Sequence, residues 1–80
     1  MMNTELLTRI VMTRDVLNGK PRIAGTRILV TQVLDMLAAG MSSEDIRSNA
    51  YFPELTDEDI RACIAYASSV IHDDIVIPLR

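Results

Sequence analysis

The most reactive side chains belong to Cys63 and His72, the single cysteine and single histidine of the chain. A thiol and an imidazole within hydrogen-bond reach would make a nucleophile and its base. The apolar pattern around them is helical, which sets them more than two turns apart and out of that reach. Cys63 therefore reads as a small core residue, and His72 as a favourable partner for the end of a helix dipole. Gly19-Lys20 invites a phosphate-loop reading. Pro21 stands where that loop needs Ser or Thr, and proline has no N–H to offer a phosphate. Asp57-Glu58-Asp59 resembles a carboxylate cluster. Its place at a helix start gives it a simpler task, because acids there meet unpaired N–H groups and the positive end of the dipole. The other reading is an acidic patch facing a partner. Arg14, Lys20, Arg22 and Arg27 are the only basic concentration. They suit phosphate contact by a strand-and-turn arm, or a solvated surface, with Arg27 also able to pair a helix acid. No acid–base pair, nucleophile or metal set converges, so an enzyme is the least favoured class and no cofactor is expected.

Three segments must position these residues. Residues 1–29 read as an arm of short strands and turns. Ile10-Val11-Met12 is β-prone, and Asn18-Gly19 is a turn dipeptide because both residues tolerate positive φ. Arg22-Ile23 and Arg27–Val30 read as extended pieces separated by a bulge or turn at Gly25. Two short strands do not stand alone in water, so they must pack on helices or pair with a second chain. Residues 30–73 read as three helices. Thr31 is the expected cap of the first, with Val30, Val33, Leu34 and Leu37 on one face and Gly40 as its stop. Ser42 caps the second, with Asp45 reaching back and Met41 stapled to Ile46. Pro53 is expected to end it. Thr56, Asp59, Leu55 and Ile60 repeat the same start signal for the third and longest. Its apolar face is expected to carry Ile60, Ile64, Ala67 and Ile71, with Cys63 and Val70 beside them, and its end falls near His72-Asp73. Residues 74–80 form an apolar tail.

Size and charge narrow the function further. A chain of 80 residues is one domain with a modest core, and a second copy is a common remedy for thin stability. One cysteine excludes an internal disulfide and fits a reducing compartment such as the cytoplasm. No apolar run is long enough to cross a membrane and no secretory signal is visible. With one Phe, two Tyr and no Trp, an aromatic platform for single-stranded bases is not expected. Residues 1–40 carry five cations against three acids, whereas residues 41–80 carry three against eight. A polyanion is thus repelled by the second half and tolerated only by the first.

The ordered motifs Gly19-Lys20-Pro21-Arg22-Ile23-Ala24-Gly25-Thr26-Arg27-Ile28, Leu37-Ala38-Ala39-Gly40-Met41-Ser42, Pro53–Ala62 and Ala65-Tyr66-Ala67 resemble domain-of-unknown-function family 433. Members of that family are similar to VapB-type antitoxins and are often encoded beside a PIN-like ribonuclease toxin. The resemblance implies a mainly α fold: a homeodomain-like three-helix (helix-turn-helix) domain with a short N-terminal β element. It implies no catalytic residues. The expected function is therefore an antitoxin-like protein of a type II toxin–antitoxin pair. Such a protein neutralises a PIN-like ribonuclease and can repress its own operon by binding promoter DNA. The alternatives are a transcriptional regulator without a toxin partner and a small structural homodimer. Because Asp57, Glu58 and Asp59 at the start of the third helix repel phosphates, Arg14, Lys20, Arg22 and Arg27 are the expected DNA contacts. Homodimerisation is expected through the β element. Asp74, Ile75, Val76, Ile77, Leu79 and Arg80 are the expected partner-binding segment, adding a strand to the toxin, with pairing to a strand of the chain's own dimer as the alternative.

Overall fold

The computed structural model describes residues 4–74, with side chains for 5–72. It is small and mainly helical, with four α-helices and one two-stranded antiparallel sheet among the described residues. In chain order these are α1 (Thr4–Leu7), β1 (Ile10–Val11), β2 (Arg22–Ile23), α2 (Val30–Ala38), α3 (Ser43–Ile46) and α4 (Asp57–Asp74). One helix more is present than the sequence pattern predicts. The additional one, α1, is a single turn within the supposed strand-and-turn arm, and it packs on α4. A turn that short is marginal alone, so its docking on α4 stabilises it.

The strands find neighbours within their own chain. Ile10 pairs with Ile23 and Val11 with Arg22, and Arg22 also forms an antiparallel bridge with Leu29. The Ile23 N–H donates to the Ile28 carbonyl at 2.9 Å, and the Val30 N–H to the Pro21 carbonyl at 3.0 Å. This pairing removes the reason for expecting the strands to need a second copy. Gly25 lies in a tight turn with φ of 80°. The Thr26 hydroxyl closes that turn by donating to the Ile23 carbonyl at 2.8 Å and accepting from the Ile28 N–H at 3.0 Å. The Asn18-Gly19 turn is present as well, inside a short turn over Leu17–Gly19.

Helix α2 starts one residue before the expected cap, at Val30, so Thr31 is helical. Leu29 stands at the cap position and has no side-chain oxygen to offer. The Gln32 side chain compensates by accepting from the Leu29 N–H at 2.8 Å. At the other end the Met41 N–H donates to the Met36 carbonyl and the Gly40 N–H to the Leu37 carbonyl. This is the Schellman arrangement, which needs the left-handed conformation that Gly40 adopts at φ of 96°.

Both later starts form as the pattern predicts. The Asp45 N–H donates to the Ser42 hydroxyl at 3.1 Å, and the Ser42 N–H to the Asp45 carboxylate at 3.3 Å. Thr56 and Asp59 make the same exchange at 3.2 and 3.0 Å. Helix α3, however, ends at Ile46, well before Pro53. The half-buried Phe52 packs against the core, and its N–H donates to the Ile46 carbonyl at 2.9 Å, which turns the chain back.

Ile23, Ile28, Val30, Val33, Ile46, Leu55, Ile60 and Cys63 form the core. Helix α4 touches α1, α2, α3 and β1, which makes it the central support of the fold. Its buried side carries Asp59, Ile60, Ala62 and Cys63, whereas Ile64 and Ile71 are 49% and 50% exposed. The expected face over Ile60, Ile64, Ala67 and Ile71 is therefore rotated. Packing on α1 and the core draws in the adjacent side, and steps of four residues carry Ile64 round toward solvent.

Candidate nucleic-acid interface

Arg22 organises the basic region. Its position on β2 carries its guanidinium between two loops. One Nη donates to the Thr26 carbonyl at 3.0 Å and the other to the Thr13 hydroxyl at 3.0 Å. Its Nε is buried with no hydrogen-bond partner among the described residues. The planar fork thus joins the β1–β2 connection to the β2–α2 connection. Arg14 directly follows Thr13, and Arg27 directly follows Thr26, so one side chain holds together the loops that carry both. Lys20 lies on the first of these loops, after the Leu17–Gly19 turn.

Arg14, Lys20 and Arg27 are exposed, and no hydrogen bond or ion pair of their side chains occurs among the described residues. The structure therefore divides the four expected contacts. Arg22 is engaged within the fold as a positioning residue, while the other three present cationic tips to solvent. Point charges on adjacent loops can neutralise phosphates without reading bases.

The acids of α4 are engaged differently. The Ser43 hydroxyl donates to Oδ1 of Asp57 at 2.7 Å, and Arg47 Nε donates to that hydroxyl at 3.1 Å. Arg61 Nε lies 3.0 Å from Oδ2 of Asp57. The Ser43 bond, helped by the charges of Arg61 and Arg47, holds the Asp57 carboxyl below its ordinary value of 3.8 against partial desolvation. Asp59 caps its own helix and accepts from Arg9 at 3.0 Å. Glu58 is exposed and borders a shallow polar groove with Glu5, Leu6, Thr8, Arg9 and Arg61. Of the three acids Asp59 is the one that accepts from a backbone N–H at the helix start, Asp57 is held by Ser43 and Arg61 instead, and Glu58 has the acidic outward position.

Cys63 is fully buried, and desolvation, with Asp59 nearby, pushes its thiol up to about 12. It is not a nucleophile near neutral pH. His72 is exposed on the last turns of α4. No group of three or more metal-ligating side chains occurs among the described residues. Asp74 is the final residue of α4, one position beyond the expected end of that helix. Ile75, Val76, Ile77, Leu79 and Arg80 of the expected partner-binding segment lie outside the described residues. No described helix is long and apolar enough to cross a membrane.

Sequence reading missed the roles of Arg9, Ser43 and Arg47. It missed Arg61 as well, although its place four residues after Asp57 on one helix face is a signal that could have found it. Arg9 carried no such signal, since its partner is 50 positions away.

A family described as "Protein of unknown function (DUF433)" matches residues 10–67, which include both basic loops and most of α4. The chain belongs to the DUF433 family. Within this DUF433 chain, the matched span holds Arg14, Lys20, Arg22 and Arg27 together with the Ser43–Asp57 contact. Comparison with curated proteins and with solved structures finds no match.

Proposed function

We propose that this chain is an antitoxin-like binding protein of a type II toxin–antitoxin pair, acting in the cytoplasm. It neutralises a PIN-like ribonuclease and represses its own operon by contacting promoter DNA. The observation that carries this reading is the separation of charge. Arg14, Lys20 and Arg27 are outward on loops clamped by Arg22, whereas Asp57 is engaged by Ser43 and Arg61 and Asp59 is buried against Arg9. DNA then meets the loop end, and the acidic second half faces the basic RNA-binding groove of a ribonuclease. In this reading α2, α3 and α4 stand for the three helices of a homeodomain-like helix-turn-helix domain, with α3 cut to one turn.

A gel-shift titration with the chain's own promoter fragment tests the DNA part. Replacing Arg14, Lys20 and Arg27 together by Ala removes binding, and Glu58→Gln leaves it equal or stronger. Retention of full affinity by the triple variant overturns the assignment. Growth rescue during co-expression with a PIN-like ribonuclease tests the toxin part. A chain that binds DNA without rescuing growth is a transcriptional regulator instead, the reading that the basic loops support by themselves. Failure of both leaves the small structural homodimer.

A further inference from the structure

Three consecutive residues of the β1–β2 connection, Leu17, Asn18 and Gly19, have left-handed φ of 52°, 59° and 74°. Glycine adopts that conformation freely and asparagine tolerates it, whereas leucine is strained in it. The turn belongs to a ladder of backbone bonds. The Val16 N–H donates to the Thr13 carbonyl at 2.9 Å, the Gly19 N–H to the Val16 carbonyl at 3.0 Å, and the Lys20 N–H to the Leu17 carbonyl at 3.2 Å. Arg22 holds the first rung through the Thr13 hydroxyl, and the Val30 N–H holds the far end through the Pro21 carbonyl.

Asn18 is exposed, and of the three asparagines it alone precedes a glycine. An exposed Asn-Gly pair can react with itself. Gly19 has no Cβ to shield its nitrogen, and the space where one would stand is open. Once its proton passes to solvent, that nitrogen can bond to Cγ of Asn18. The Cγ–Nδ2 bond then breaks, and ammonia leaves with a proton taken from water, which gives a five-membered imide. Water opens the imide at either carbonyl, to aspartate or to isoaspartate. The fold opposes the first step. With ψ of 31° at Asn18, the Gly19 nitrogen lies nearly opposite Cβ across the Cα–C bond, away from Cγ. Its N–H is also engaged by Val16. Attack therefore needs the turn to open, and the strain at Leu17 favours opening.

We infer that Asn18 is a self-modification site of this chain, deamidating with water as co-reactant, and that the Arg22-held loop gates it. The product carboxylate joins Asp15 among Arg14, Lys20 and Arg27. Isoaspartate also lengthens the main chain by one carbon where the ladder must close. The inference stands whether or not the chain binds DNA or a ribonuclease.

Incubation of the full chain at neutral pH, folded and in urea, tests it. Mass spectrometry follows the conversion of amide to acid at residue 18, and isoaspartate methyltransferase labelling reports the second product. The folded chain deamidates at Asn18 about tenfold more slowly than the chain in urea, because two backbone hydrogen bonds must open first. Arg22→Ala raises the folded rate about threefold and leaves the rate in urea unchanged. Thr13→Val, which removes only the hydroxyl that Arg22 holds, acts in the same direction, and circular dichroism checks that both variants stay folded. Equal rates in the folded chain and in urea, no modification of Asn18 in the folded chain, or a folded rate unchanged in both variants each overturns the inference.

Discussion

Arg9 and Asp59 are 50 positions apart in the chain and 3.0 Å apart in space. The Asp59 carboxylate divides its oxygens between two tasks. Oδ2 accepts from the Thr56 N–H and closes the start of α4, while Oδ1 accepts from Arg9. The Arg9 carbonyl also accepts from the Ala24 N–H at 2.8 Å. One residue thus ties the end of α1, the hairpin and the main helix together. Asp59→Ala removes the acid's half of the capping box, leaves the Thr56 hydroxyl in place and takes the acid from Arg9, and we expect a loss of about 1 kcal/mol. Asp59→Asn keeps a cap acceptor and loses less. Urea unfolding of both variants, with Arg9→Ala for a double-mutant cycle, gives the coupling between the pair.

Ser43→Ala removes the first cause of the low Asp57 pKa. The Asp57 titration followed by NMR then moves up toward 3.8. Because the folded value is depressed, its stabilising effect is complete above the unfolded value. It is lost as the pH falls through the folded one. The native chain therefore loses this contribution below pH 3.8, and Ser43→Ala flattens that acid limb. An unchanged Asp57 titration would contradict the assignment.

Cys63 behaves in the opposite sense. Its thiol stays protonated in the fold up to about pH 12, while in the unfolded chain it ionises near 9.0. Stability therefore declines as the pH rises between those values. At neutral pH a thiol reagent labels Cys63 only as fast as the protein opens. Labelling at the rate of a free thiol in folded protein would contradict its burial.

Arg22→Ala differs from changes at its basic neighbours. It frees the Thr13 and Thr26 loops and lowers thermal stability, because two hydrogen bonds to a charged group are lost. Arg14→Ala, Lys20→Ala and Arg27→Ala leave melting unchanged. If these three contact phosphates, each substitution lowers the slope of log affinity against log salt by about 0.9. Equal melting of all four variants would remove the clamp from the account.

Gly40→Ala tests the stop of α2. A Cβ at that position meets nothing within 4 Å, so the cost is purely that of placing alanine at φ of 96°. A loss of about 1 kcal/mol is expected in chemical unfolding. A neutral result would mean that α2 ends in another way.

The local grammar of this chain was legible from residues alone. Ser42 with Asp45 and Thr56 with Asp59 start helices, Gly40 stops one, and Gly25 turns the chain. Each of these rests on neighbours within a few residues, where short polar side chains meet unpaired backbone groups. Tertiary structure alone decided which side of α4 is buried, because that depends on where α1 and the core lie against it. It decided the early end of α3, through Phe52 reaching the core and returning a donor to Ile46. It also decided that Arg22 is a clamp while Arg14, Lys20 and Arg27 remain outward. Residue type makes all four cationic, and only the loops brought together in space supply the oxygens that one guanidinium can hold.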